Sequence, residues 1–250
     1  MPETLAAALA VPGLVWVFAA VLAAGLVYGF AGFGAALIFI PVGVRILPPE
    51  DAIAAFAIAA WASAATMLPR LWPQADKRAT AWMIAAAAAT LPVGVLVLTR
   101  APTVPLRWAI CALVAATLLA VMTGWRARIG GGPGPRVAVG AGAGLIGGAT
   151  GLLGPVVILL NLASGDDAAR MRANLSSFLT VTSLAFPLVI WAQGALTAQA
   201  VWIGLLLLPV YGLGTAAGQA LFRPGAERLY RGSAYAVVAV AVVLGLPVWG

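Results

Sequence analysis

The sequence predicts an all-α membrane protein of two inverted repeats, each a glycine-tipped re-entrant helical hairpin followed by three transmembrane helices. Three observations predict it. Of the 250 residues, 63% are apolar and 8% charged, the mean hydropathy is +1.06, and several uncharged runs reach about 18 residues, the length of a spanning helix. Two apolar segments carry the same interruption: GFAGFGAALIFIP at 29–41 and GGATGLLGPVVIL at 147–159 both place Gly inside a hydrophobic run and follow it with Pro. The basic residues, finally, divide unevenly among the loops between the runs.

In chain order, the apolar segments are 14–47, 51–69, 79–98, 105–124, 136–163, 168–192, 199–220 and 232–249. LPPED at 47–51, PRLWPQADKR at 69–78 and TRAPTVPLR at 99–107 separate the first four with Pro and charge, which helices avoid. GWRARIGGGPGPR at 124–136 lies at the midpoint and divides the single membrane domain into repeat 1 (14–124), a linker (125–135) and repeat 2 (136–249). MPETLAAALAVPG has no Lys or Arg before its apolar run, so the first segment reads as retained rather than as a signal peptide. Trp82, Trp108, Trp125, Trp191, Trp202 and Trp249 fall near segment ends and Trp72 in a loop, as an interfacial belt requires; Trp61 falls near the centre of its segment.

Residues 14–47, as one helix, would be about 50 Å long, well beyond a hydrocarbon core of about 30 Å. Split at the glycines, its arms have about 15 and 13 residues and reach about 20 Å, enough to run from one surface to the midplane and back. The second segment splits similarly near 147–154. If each segment returns to its own side, eleven basic residues (Arg70, Lys77, Arg78, Arg126, Arg128, Arg136, Arg170, Arg172, Arg223, Arg228 and Arg231) share one face against three (Arg45, Arg100 and Arg107) on the other. If each crosses once, the division is six against eight, with no bias. The positive-inside rule selects the first arrangement, with both termini outside and the linker inside. Three crossings per half is an odd number, so the second half is inserted upside down.

Helix ends inside a membrane leave peptide N–H groups without partners, at several kcal/mol each, unless they line a cavity or a ligand. Helix N-termini carry about half a positive charge, and glycine lets an anion approach the backbone closely. The tips Gly32, Phe33, Gly34 and Thr150, Gly151, Gly154 are therefore candidates for an anion site made of main-chain amides. Packing alone is the competing explanation, and it is the preferred one for the ladder Gly140, Gly144 and Gly148. Adding 119 to a position carries Gly29 and Gly32 onto Gly148 and Gly151, while Gly34 falls on Leu153.

These two hairpin motifs, each followed by an Ala/Ser-rich helix, resemble the TauE/SafE family, the sulfite exporter and anion permease family of bacterial inner membranes. The resemblance covers nearly the whole chain. It implies transport of sulfite, sulfoacetate, thiosulfate or related organic anions. The second motif departs from a denser glycine run at Leu152, Leu153 and Pro155, which alters its amide nest.

Hydroxyls and amides beside the tips can donate to an anion without the cost of burying a charge. RANLSSFLTVTS offers Asn174, Ser177 and Thr180 at roughly one helical face, and the matching helix of the first half offers Ser63, with Trp61 as a wall of the pathway. Each also has a bland role: Ser and Thr in spanning helices commonly bond their own backbone. Arg45, Arg170 and Arg172 at the hairpin mouths would steer anions or simply be solvated. With no His and one Cys, neither metal nor cofactor is expected, and the net charge of +7 belongs to topology rather than nucleic-acid binding. The partners expected are a small anion and the lipid bilayer. Homodimerisation, the direction of transport and a coupling ion, proton or none, are left open. A passive anion channel fits the same pattern; a membrane-embedded lipid phosphatase is the less favoured alternative, because no nucleophile, base or carboxylate constellation lies in the membrane.

Overall fold

Thirteen α-helices and no strand make up the described part of the computed structural model, which covers residues 3–123, 132–163, 168–221 and 227–247. The side chains of 159–169 and 222–234 are outside the description, and so are most of the midpoint linker, Trp125, Trp249 and the acidic pair Asp166 and Asp167. Among the described residues five helices are long and apolar enough to cross a membrane, or six if one bent pair counts as a span.

A short α1 (Glu3–Leu9) precedes the first hairpin, α2 (Leu14–Ala31) and α3 (Ala35–Ile46). Next comes a broken segment, α4 (Pro49–Ala59), α5 (Ala62–Thr66) and α6 (Leu68–Leu71), and then two long helices, α7 (Lys77–Arg100) and α8 (Thr103–Met122). The second series follows a similar order: a hairpin of α9 (Pro133–Thr150) and α10 (Gly154–Ala163), then α11 (Ala168–Ala192), α12 (Ala198–Leu221) and α13 (Glu227–Gly245).

Both interrupted segments fold back on themselves. A Cβ built on Gly13, before α2, would lie 3.6 Å from Ile46 at the end of α3, so the two open ends of the first hairpin are neighbours. In the second, a Cβ on Gly142 would lie 3.6 Å from Val156. The arms are less equal than the sequence predicts. α2 has 18 residues and α3 has 12, α9 has 18 and α10 has 10. At about 27 Å, α2 is itself of spanning length. It continues through Gly25 and Gly29 because α12 packs onto that face; only at Gly32, with φ 79°, does the chain leave the helix.

That packing has a counterpart. α2 lies on α12, and α9 lies on α7, so the first arm of each hairpin packs on the third element of the other series. Both contacts are glycine-lined. A Cβ on Gly25 would come within 2.8 Å of the Tyr211 carbonyl, and one on Gly148 within 2.7 Å of the Leu91 carbonyl. Small residues let two backbones approach and gain dispersion contact, which is what holds helices together where lipid offers no hydrophobic drive. The expectation that Gly140, Gly144 and Gly148 serve packing agrees with this: all three face α7.

The segment α4–α6 bends by 48° between Pro49–Thr66 and Leu68–Gln74. Pro69 explains the lower break, since its ring clashes with the carbonyl four residues back and it donates no hydrogen bond. Trp61, expected near the centre of an unbroken helix, sits at the upper break between α4 and α5.

Candidate functional site

The two hairpin tips line one cavity of about 60 Å³. Gly34, Ala35, Ala36 and Leu37 come from the first tip, and Gly151, Leu153, Gly154 and Pro155 from the second. α4 supplies Phe56 and Ala57, α11 supplies Leu179 and Phe186, and the polar side chains are Tyr28, Ser63, Ser183 and Tyr211. No Asp, Glu, Lys or Arg is among these lining residues.

Each tip is shaped by glycine in the left-handed region. Gly32 (φ 79°) and Gly34 (φ 93°) bracket Phe33, and Gly151 (φ 73°) closes α9. The turn at Gly34 points the start of α3 into the cavity. The amides of Ala35, Ala36 and Leu37 have no carbonyl one turn back in their own helix; the first such bond runs from Ile38 to Gly34, at 3.3 Å. α10 begins at Gly154, and its second residue, Pro155, has no N–H to offer. The tips overlap rather than meet end to end. A Cβ on Gly151 would touch Ile40 and Ile53, and Ile40 lies six residues, about 9 Å, beyond Gly34 along α3.

The first tip is fastened to α11. Arg172 Nη2 donates to the Gly29 carbonyl (2.6 Å) and Ser176 Oγ to the Gly32 carbonyl (2.8 Å). A cation at the carbonyl end of a helix is favourable. Thus Arg172, expected at a loop mouth, is a half-buried cap on α2. One turn earlier, Tyr28 Oη donates to the Ser176 carbonyl (3.3 Å) and shares a hydrogen bond with Thr180 Oγ1 (3.0 Å). Thr180 in turn shares one with Ser63 Oγ (3.2 Å), which donates to the Ala60 carbonyl (2.6 Å) at the helix break. Ser183 Oγ donates to the Thr180 carbonyl (2.8 Å).

Of the candidates read from the sequence, Gly34, Ser63, Gly151 and Gly154 line the cavity. Thr180 is one hydrogen bond away. Gly32 and Phe33 form the tip behind it. Thr150 Oγ1 donates to the Ile146 carbonyl (2.7 Å) and accepts from the Leu152 amide (3.3 Å), stabilising its own turn. Asn174 points elsewhere, accepting from the Asp76 amide (2.7 Å). Ser177 and Trp61 are off the cavity wall, and the Ser177 Oγ and Trp61 Nε1 atoms are buried with no hydrogen bond among the described residues. Arg45 Nη1 donates to the Leu244 carbonyl near the end of α13 (3.0 Å), and Arg170 is exposed at the start of α11. Sequence reasoning missed Tyr28 and Tyr211. The available signal was two tyrosines within apolar runs, one of them immediately before the first glycine motif.

The family model of the sulfite exporter TauE/SafE matches residues 17–244, nearly the whole chain. This chain belongs to the TauE/SafE family. It is therefore a multi-pass membrane protein of a transporter family, not of an enzyme family. Comparison with curated proteins and with solved structures returns no match.

Proposed function

We propose that the chain is a secondary carrier, exporter or permease, for small sulfur-containing or organic anions such as sulfite, sulfoacetate or thiosulfate. The anion binds in the cavity between the hairpin tips, held by main-chain amides at the starts of α3 and α10. Alternating access would come from one set of elements rocking against the other. In this reading the halves are inverted repeats in a bacterial inner membrane, with both termini periplasmic and re-entrant hairpins dipping from opposite faces. The exchange of packing partners, α2 on α12 and α9 on α7, supports the repeat. The single observation that carries the reading is the shared cavity: two helix N-termini from separate halves open into one space, with no basic side chain among the described residues of its wall.

The test is anion flux in liposomes loaded with purified protein. A carrier gives saturable uptake of radiolabelled sulfite or sulfoacetate, with counterflow stimulated by unlabelled anion inside. Non-saturating flux without counterflow would make the protein a channel. No flux with any sulfur oxyanion, sulfonate or carboxylate would end the proposal.

A further inference from the structure

The helices around the cavity sort into two packed bodies, and each draws on both halves of the chain. In the first, α2 and α4 both lie on α12. A Cβ on Gly29 would lie 2.8 Å from Gly218 Cα, and one on Gly204 2.7 Å from Ile58 Cβ. In the second, α9 and α11 both lie on α7, and a Cβ on Gly144 would lie 2.7 Å from Ala87 Cα. Backbones packed this closely do not slide freely past one another, so each body moves as a unit. The return arms follow their hairpins, α3 with α2 and α10 with α9. The cavity lies on the boundary, with Tyr28, Phe56 and Tyr211 on one wall and Leu179, Ser183 and Phe186 on the other.

Hydrogen bonds across this boundary gather at one end of it. Among the described residues they come from 172–180, in the first half of α11. Arg172 and Ser176 donate to the Gly29 and Gly32 carbonyls, the Tyr28 hydroxyl bonds the Ser176 carbonyl and Thr180, and Thr180 bonds Ser63. Asn174, in the same stretch, accepts from the Asp76 amide, so this is the end where Arg70, Lys77 and Arg78 lie. The opposite end differs. There Asp51 accepts from Thr197 (2.7 Å) and Gln193 donates to the Pro92 carbonyl (2.8 Å), and each bond stays within one body. What meets across the boundary at that end is hydrocarbon, Gly151 against the side chains of Ile40 and Ile53.

We propose that residues 172–180 of α11 are a polar latch that shuts the cavity toward the face of Arg70 and Arg172, and that the apolar end of the boundary parts first. This rests on the anion-carrier reading and adds the order in which the two sides open. Apolar contact is non-directional and survives small shifts of one body on the other. Hydrogen bonds are lost over a fraction of an ångström, and buried groups left unpaired are costly. The latch therefore releases as a unit. Water entering from its own face then satisfies the freed hydroxyls and carbonyls, which keeps the step reversible.

Cysteine labelling of the full chain in oriented membrane vesicles tests the latch without any ligand. In a Cys111→Ala background, Ala57→Cys puts a single thiol on the cavity wall. A membrane-impermeant maleimide is expected to react faster from the face of Arg45 and Arg100 than from the face of Arg70 and Arg172. Thr180→Val keeps the side chain's shape and removes its bonds to Tyr28 and Ser63, and Ser176→Ala removes the bond to the Gly32 carbonyl. They are expected to speed labelling from the latch face by about tenfold and about fivefold, the effect of two hydrogen bonds and of one, with the rate from the other face unchanged or lower. Ser176→Ala, the milder change, gives the same test if Thr180→Val does not insert. Equal rates from both faces in the parent would overturn the latch. So would variants that label faster from both faces, the sign of loosened packing alone, or from neither. Side-specific labelling in a protein that moves no anion in liposomes would overturn the carrier reading and leave the latch standing.

Discussion

The two hairpin tips solve the same steric problem with different chemistry. The first has two left-handed glycines, three amides free of helical partners at the start of α3, and a polar fastening to α11 through Arg172 and Ser176. The second has one left-handed glycine and a proline at the second position of its return helix. Its environment is apolar, made by Ile40 and Ile53. Thr150 already occupies the Leu152 amide. The first tip thus has more main-chain donors free of helical partners, and the second is closely packed in mostly hydrocarbon surroundings. Two similar glycine motifs therefore need not build chemically equal tips. The difference can be widened or removed by single substitutions.

The largest effect is expected at Gly32. Any L-residue there is strained at φ 79°, and its Cβ would lie 2.6 Å from Arg172 Cγ and 2.7 Å from Ser176 Oγ. Left-handed strain costs about 1–2 kcal/mol and a lost hydrogen bond about 1 kcal/mol more, so Gly32→Ala should reduce the native tip, and transport with it, on the order of a hundredfold. Gly34→Ala separates the two causes. Its φ is 93°, but the nearest neighbour of a Cβ is Val27 Cγ1 at 3.5 Å. Strain alone predicts about a tenfold loss. Liposome flux at equal reconstituted protein measures both; equal losses would mean that the α11 fastening does not matter.

Gly151→Ala comes next. The strain is like that at Gly34, but the Cβ meets Ile53 Cγ1 at 2.9 Å and Ile40 Cδ1 at 3.1 Å. The Ile40 methyl ends a flexible side chain and can give way; Ile53 is the stiffer neighbour. The expected result is about a tenfold fall in flux together with a lower melting temperature, because the apolar packing around the tip is forced apart. A fall in flux with unchanged stability would place this tip's contribution in binding rather than in packing, and would weaken the contrast drawn between the tips.

Much of this was readable in advance, because the bilayer imposes strong rules. Span lengths and loop positions followed from hydropathy; α11 and α12 begin and end within about a residue of the predicted segments. The tips were readable because glycine there has few substitutes. The length of α2 was not, since Gly25 and Gly29 look the same in sequence whether they break a helix or admit a neighbour, and only the position of α12 decides. The site was half legible for a related reason. Asn174 and Thr180 sit on similar sequence footing, yet one meets the Asp76 amide and the other the Tyr28–Ser63 chain. Tyr28 and Tyr211 were passed over because a tyrosine in an apolar run carries no mark that its ring faces a cavity rather than lipid.

The smallest predicted effect sharpens the comparison most, because its sign is opposite. Pro155 lines the cavity at the second residue of α10, a position where a missing N–H breaks no helical bond. Pro155→Ala restores that N–H beside the guest. If the second tip binds through its backbone, affinity for the anion should rise by a few-fold, within the range of one added net hydrogen bond. The same change frees the unfolded chain and should lower ligand-free stability by about 0.4–1 kcal/mol. The variant should therefore melt earlier when empty and gain more from ligand than the wild type does. A parallel loss of both would mean that α10 serves the cavity only as a wall, and that the anion is held from the α3 side alone.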